Sequence, residues 1–145
     1  MSKFFKPEEE AIIKNHIHQA EERSSGEIRV YVEPKCKIEL HQRAMDIFIK
    51  HKIYRTRQKN GVLIYIAYES HGIYILGDEG IHLKAGQRLW DHALMTMQSL
   101  FAKQQYLDGL TAAIDIVGNE LRKFFPPTQQ ENEIPDDVIY GADED

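Results

Sequence analysis

The 145-residue sequence has a single cysteine, Cys36, so no intrachain disulfide can form. That fits a reducing compartment. Long hydrophobic runs are missing too. The longest continuous one, Val62 to Tyr68, falls far short of the ~20 residues that span a bilayer. The opening MSKFFKPEEEAIIK has no apolar core and no small-residue cleavage pattern, so a signal peptide is not expected. Together these features predict a cytoplasmic chain without membrane insertion. Basic excess is also lacking: the formal net charge is −5, which argues against a general nucleic-acid binder.

Several catalytic and metal signatures are absent. There is no D-x-D-x-D-G ladder of an EF-hand and no H-x3-H or H-E-x-x-H among the seven histidines. Neither C-x5-R nor D-x-D-x-T appears. Ser24 and Ser25 precede a strand pattern instead of forming a G-x-S-x-G elbow.

What is present is enough for one domain. Hydrophobic residues make up 42% and charged residues 28%. The acids are unevenly placed. Residues 126–145 hold seven acids and no Lys or Arg, leaving a net +2 on the first 125 residues. This divides the chain into a domain over 1–127 and an acidic, flexible tail over 128–145.

Pro7 followed by Glu8, Glu9 and Glu10 predicts a helix start, with carboxylates at the positive end of the dipole. Ile13, Ile17 and Ala20 give that helix, 7–23, one apolar stripe. The period then changes. Ile28, Val30 and Val32 alternate with Arg29, Tyr31 and Glu33, a strand with one strongly apolar face. Leu40, Ala44, Ile47 and Phe48 predict a helix over 39–51. Val62 to Tyr68 reads as a central strand, and Ile73 to Leu76 as its hairpin partner. A further helix begins near Ala85, with Trp90 as its anchor on the sheet. Leu107, Leu110, Ile114, Val117, Leu121 and Phe124 define a long amphipathic helix over 105–124. The expected fold class is α/β: a three-layer α/β/α sandwich with a small mixed sheet and about four main helices.

Strand, helix, strand should make a parallel pair with a right-handed crossover, and the third strand should run back. The start of strand 1, the start of strand 2 and the end of strand 3 then share one edge. That edge collects Glu27, Asn60, Asp78 and Glu79 beside Gly26, Gly61, Gly77 and Gly80. Carboxylate and amide oxygens are ligands of Ca²⁺ and Mg²⁺, so these four residues form the candidate metal site. An Asp beside Gly also serves turns for local backbone reasons. Lys50, Lys52, Arg55, Arg57 and Lys59 form a basic segment without an acid. Arg55, Arg57 and Lys59 are its candidate phosphate or partner contacts. Cations at a helix C-terminus would look the same. Asp136 and Asp137 in the tail could collect cations weakly.

The stretches AEERSSGEIRVYVE, NGVLIYIA and YILGDEGI, then a Trp-bearing helix and a long helix ending LRKFFP, resemble the TPM domain family over about residues 4–127. The tail NEIPDDVIYG is similar to tails of short soluble bacterial members. The resemblance implies an α/β/α sandwich and the divalent-cation binding of some members. It also implies acid phosphatase activity, through plant members of the thylakoid lumen linked to photosystem II repair. Three expectations follow: a cation-binding or regulatory domain, a metal-assisted hydrolase of phosphomonoesters, or a protein-interaction module using the 50–59 segment or the tail.

Overall fold

The computed structural model describes residues 4–127 and 138–141. Five α-helices and four strands are formed among them: α1 (Pro7–Glu22), β1 (Glu27–Glu33), α2 (Leu40–Lys50), β2 (Gly61–Ala67), β3 (Gly72–Gly77), α3 (Glu79–Ala85), α4 (Gln87–Ala102), α5 (Tyr106–Phe124) and β4 (Val138–Tyr140). A short 3-10 turn, Ile53–Arg55, follows α2. Pro7 opens α1, and the Glu9 carboxylate accepts the Lys6 backbone N–H at 2.9 Å, satisfying one donor that the helix leaves unpaired.

The sheet order is β3-β2-β1-β4. β1 pairs with β2 in parallel, Glu27 opposite Gly61 and Glu33 opposite Ala67. β2 and β3 are antiparallel, Val62 opposite Gly77 and Ala67 opposite Gly72. The βαβ unit and the returning third strand are therefore as the sequence predicts.

Both sheet faces are covered. On one, Ile28, Val30, Val32, Val62, Ile64 and Ile66 join Ile13 and Ile17 of α1, Met97 of α4, and Ile114 and Val117 of α5. On the other, Tyr31, Leu63, Tyr65 and Ala67 meet Ala44, Ile47 and Phe48 of α2 and Ile53 of the 3-10 turn. Burial of a large aliphatic side chain is worth ~1.5–3 kcal/mol, so the larger cluster is the main source of cohesion.

Four features depart from the sequence reading or go beyond it. The face of β1 bearing Arg29, Tyr31 and Glu33 is buried, because α2 lies over it. The segment Gly77-Asp78-Glu79-Gly80 is not a free turn: α3 begins at Glu79, and Gly80 is helical. The break between α3 and α4 falls at Gly86, whose φ of 78° and ψ of 179° suit glycine alone. Residues 138–140, expected in the tail, form β4 against β1, with Val138 opposite Val30 and Tyr140 opposite Val32. A Cβ on Gly141 would stand 2.7 Å from the Glu33 carboxylate, so Gly141 packs tightly against the end of β1. Asp136 and Asp137 lie outside the described residues.

Candidate functional site

The three chain segments expected at one sheet edge do meet there. Glu27 donates its backbone N–H to the Asn60 carbonyl at 3.5 Å. Asp78 donates to the Gly61 carbonyl at 2.9 Å, and Ile81 to the Lys59 carbonyl at 3.2 Å. Asn60 is fixed from several sides. Its backbone N–H donates to Thr56 Oγ1 at 3.0 Å, and its side-chain amide donates to Ser25 Oγ at 3.1 Å. Gly80 allows α3 to approach this edge, since a Cβ there would lie 2.5 Å from the Lys59 carbonyl oxygen and closer still to that of Gln58.

The candidate residues differ in what they can do there. Asn60 is fully buried and Glu27 is 4% exposed. Asp78 caps α3, one carboxylate oxygen accepting the Glu79 N–H at 2.8 Å. This is the helix-cap duty expected of an Asp before a helix. Its other oxygen, Oδ2, is buried without a hydrogen-bond partner among the described residues, as is Asn60 Oδ1. Buried polar atoms without partners are costly and uncommon. Glu79 is exposed at the first turn of α3.

Oxygen atoms of this kind suit a hard cation, and they fit what the site requires chemically. Carboxylates alone do not complete it: among the described residues no three His, Cys, Asp or Glu side chains gather as a metal site. A cation held there would draw on the Asn60 amide oxygen and on backbone carbonyls or water, as Ca²⁺ and Mg²⁺ do.

The basic segment ends at the same edge. Gln58 accepts from Ser25 Oγ at 3.3 Å, and the Lys59 ammonium donates to the Tyr54 carbonyl at 3.0 Å. Arg55 closes the 3-10 turn, and Arg57 is exposed.

A second polar cluster escaped the sequence reading. At the C-terminal end of β1, Arg43 of α2 grips Glu33 with both Nε and Nη2 at 2.8 Å. The Tyr65 hydroxyl donates to the same carboxylate. The Arg43 guanidinium stands 5.6 Å from the Tyr31 ring centre. The hydrogen bond to Glu33 holds Arg43 even more firmly protonated than usual. Burial, and then the bond to Glu33, push the Tyr65 phenol well above its ordinary value. The available signal was the polar alternation Arg29-Tyr31-Glu33 opposite an arginine on the covering helix.

Three of the seven histidines have well-placed hydrogen-bond partners. His82 accepts from the Trp90 indole at 2.9 Å, His41 bonds the Tyr74 hydroxyl at 2.7 Å, and His16 bonds Asp115 at 2.8 Å. No described helix is long and apolar enough to cross a membrane.

Comparison with known proteins agrees with this architecture. The chain is similar over nearly its whole length to the BA42 protein of the psychrophilic bacterium Bizionia argentinensis. The two share 36% identity over 97% of this chain and 98% of that one, with a TM-score of 0.90. The N-terminal domain of the cg2496 protein of Corynebacterium glutamicum shares the fold alone. Its TM-score is 0.67 at 10% identity, over 91% of this chain and 84% of that one. Comparison with curated proteins gives no match. The family model described as the TPM domain matches residues 1–120, and the chain belongs to that family.

Proposed function

We propose that this TPM-family domain binds a divalent cation, Ca²⁺ or Mg²⁺, at the edge formed by Glu27, Asn60, Asp78 and Glu79, in a binding or regulatory role. The reading is carried by one observation: two buried oxygens, Asn60 Oδ1 and Asp78 Oδ2, accept no hydrogen bond from the described residues although their segments are held together by several. A cation supplies a positive partner that a buried oxygen otherwise lacks.

Titrating the ¹⁵N-labelled chain with Ca²⁺ and with Mg²⁺ tests it. Saturable amide shifts are expected at 24–27, 60–61 and 77–80. Asp78→Asn should weaken binding by about tenfold or more, because ligand charge sets cation affinity. Asparagine also caps helices well, so the variant keeps its fold. Absence of saturable shifts at millimolar cation would sink the reading, as would equal affinity in Asp78→Asn.

A second reading, metal-assisted hydrolysis of phosphomonoesters, is favoured by Arg57, exposed in the segment that ends at this edge. A cation there would orient the phosphate and acidify water, with Arg57 or Lys59 steering the substrate. Hydrolysis of p-nitrophenyl phosphate that needs Mg²⁺ and is lost in Asp78→Asn is the expected result for an enzyme. Turnover indifferent to both would assign the activity elsewhere.

A further inference from the structure

On the face of the molecule away from the sheet, α1 and α5 run side by side in the same direction. His16 of α1 bonds Asp115 of α5 at 2.8 Å. One turn further along, Ala20 meets Gly118 so closely that a Cβ on the glycine would lie 2.8 Å from the alanine Cβ. These small residues floor a hollow of about 280 Å³, walled by longer polar side chains from both helices. The two helices contribute matching patterns. Positions 16, 19, 20 and 23 of the first, and 115, 118, 119 and 122 of the second, line the hollow. Each set has the spacing that keeps residues on one helical face.

Toward the C-terminal ends of both helices the walls are Arg23 and Arg122. Neither guanidinium forms an ion pair among the described residues. Arg122 donates to the Asn119 amide oxygen at 3.3 Å. Three acids of the two helices have other partners. Asp115 is held by His16, Glu22 faces His18 at 3.7 Å, and Glu21 accepts the Ile28 N–H at 2.9 Å. A helix C-terminus favours a cation, which explains one arginine on each helix. It does not explain why both line the same concavity, where like charges repel unless an anion lies between them.

We propose that this α1–α5 hollow is an oxyanion site, in which Arg23 and Arg122 take a phosphate group, free or as a phosphomonoester. Guanidinium forks match phosphate oxygens in pairs. The Gln19 and Asn119 amides add neutral donors midway along the walls. The His16–Asp115 pair closes the far end and keeps the one acidic side chain of the hollow turned to a partner. The hollow shares no lining residue with the cation edge, although Arg23 precedes the Ser24–Ser25 segment that borders that edge.

The test is a titration of the ¹⁵N-labelled chain in EDTA, at constant ionic strength, with inorganic phosphate and separately with phenyl phosphate; chloride is the control. Saturable shifts of the Arg23 and Arg122 Nε–H signals and of amides 16–23 and 115–122 are expected, with 60–61 and 77–79 unmoved. Arg23→Gln and Arg122→Gln should each weaken binding about tenfold, the weight of one charge-assisted contact. Both side chains are exposed, so these variants should retain the parent spectrum elsewhere. Tighter binding of phenyl phosphate would identify a monoester as the ligand; equal or tighter binding of inorganic phosphate would identify the free ion. The proposal is overturned by shifts that track chloride, by affinities unchanged in both variants, or by shifts centred on residues 60–61 and 77–79.

Discussion

Gly80→Ala should destabilise the protein by about 2–4 kcal/mol, read as a lower urea midpoint. Helix propensity alone predicts the reverse. Gly80 lies inside α3, where alanine is favoured over glycine by ~1 kcal/mol. The structure decides the sign. The added methyl would meet the Lys59 carbonyl carbon at 2.9 Å and the carbonyl oxygens of Lys59 and Gln58 more closely. Those atoms are backbone and cannot rotate away. Relief requires moving α3 outward, which strains the Ile81–Lys59 and Asp78–Gly61 hydrogen bonds. The same shift displaces Asp78, so the cation affinity proposed for that edge should fall in Gly80→Ala as well. A gain in stability would show that α3 does not sit against the 58–59 backbone as described.

Arg43→Met should cost about 3 kcal/mol by the same measurement, because it strands a mostly buried carboxylate. The Glu33 side chain is only 11% exposed and receives both of its Arg43 contacts at 2.8 Å. Adding Glu33→Gln should recover part of the loss, since the double variant no longer buries an unpaired charge. That recovery is the coupling a double-mutant cycle measures. Simple additivity of the two losses would rule out the pair as the source.

Tyr65 of this cluster, together with Tyr74, should also make the fold less stable at alkaline pH. Burial first, then the bond to Glu33, raise the Tyr65 phenol; burial and the charge of Glu39 raise Tyr74. In both cases the folded chain keeps a proton that the unfolded chain releases near pH ~10. The unfolded state therefore binds fewer protons above that pH, and stability falls as pH rises through it. Below it the contribution is complete. Tyr65→Phe should cost about 1–2 kcal/mol at neutral pH and flatten the alkaline decline. An equally steep decline in the variant would assign it to other groups.

Local pattern carried far in this chain. The strand over 27–33 ends where period-2 alternation ends, bounded by Gly26 and Pro34. Seven consecutive apolar residues declare a strand buried on both faces, and the observed β2 differs from that run by one residue. The edge shared by Glu27, Asn60 and Asp78 followed from chain order and crossover handedness, although the residues are far apart in sequence. The departures from local pattern share one cause. Asp78-Glu79-Gly80 has turn composition, and it becomes helical because Ile81 finds the Lys59 carbonyl across the fold. Val138 to Tyr140 is too short to declare itself, and it is a strand because β1 offers an open edge. Glu33 and Arg43 look like ordinary surface residues until α2 packs over β1 and brings them together.

The sequence by itself determined the periodic elements, their order and hence the mixed sheet, because hydrophobic spacing and chain direction are local properties. Only the tertiary structure decided which polar atoms lose water. That depends on segments brought together from distant parts of the chain: Asn60 against Ser25, Arg43 against Glu33, and α1 against α5 with two arginines facing one hollow. Desolvation is a property of the assembled surface, so the Arg43–Glu33 pair and the α1–α5 hollow became visible only when the helices were in place.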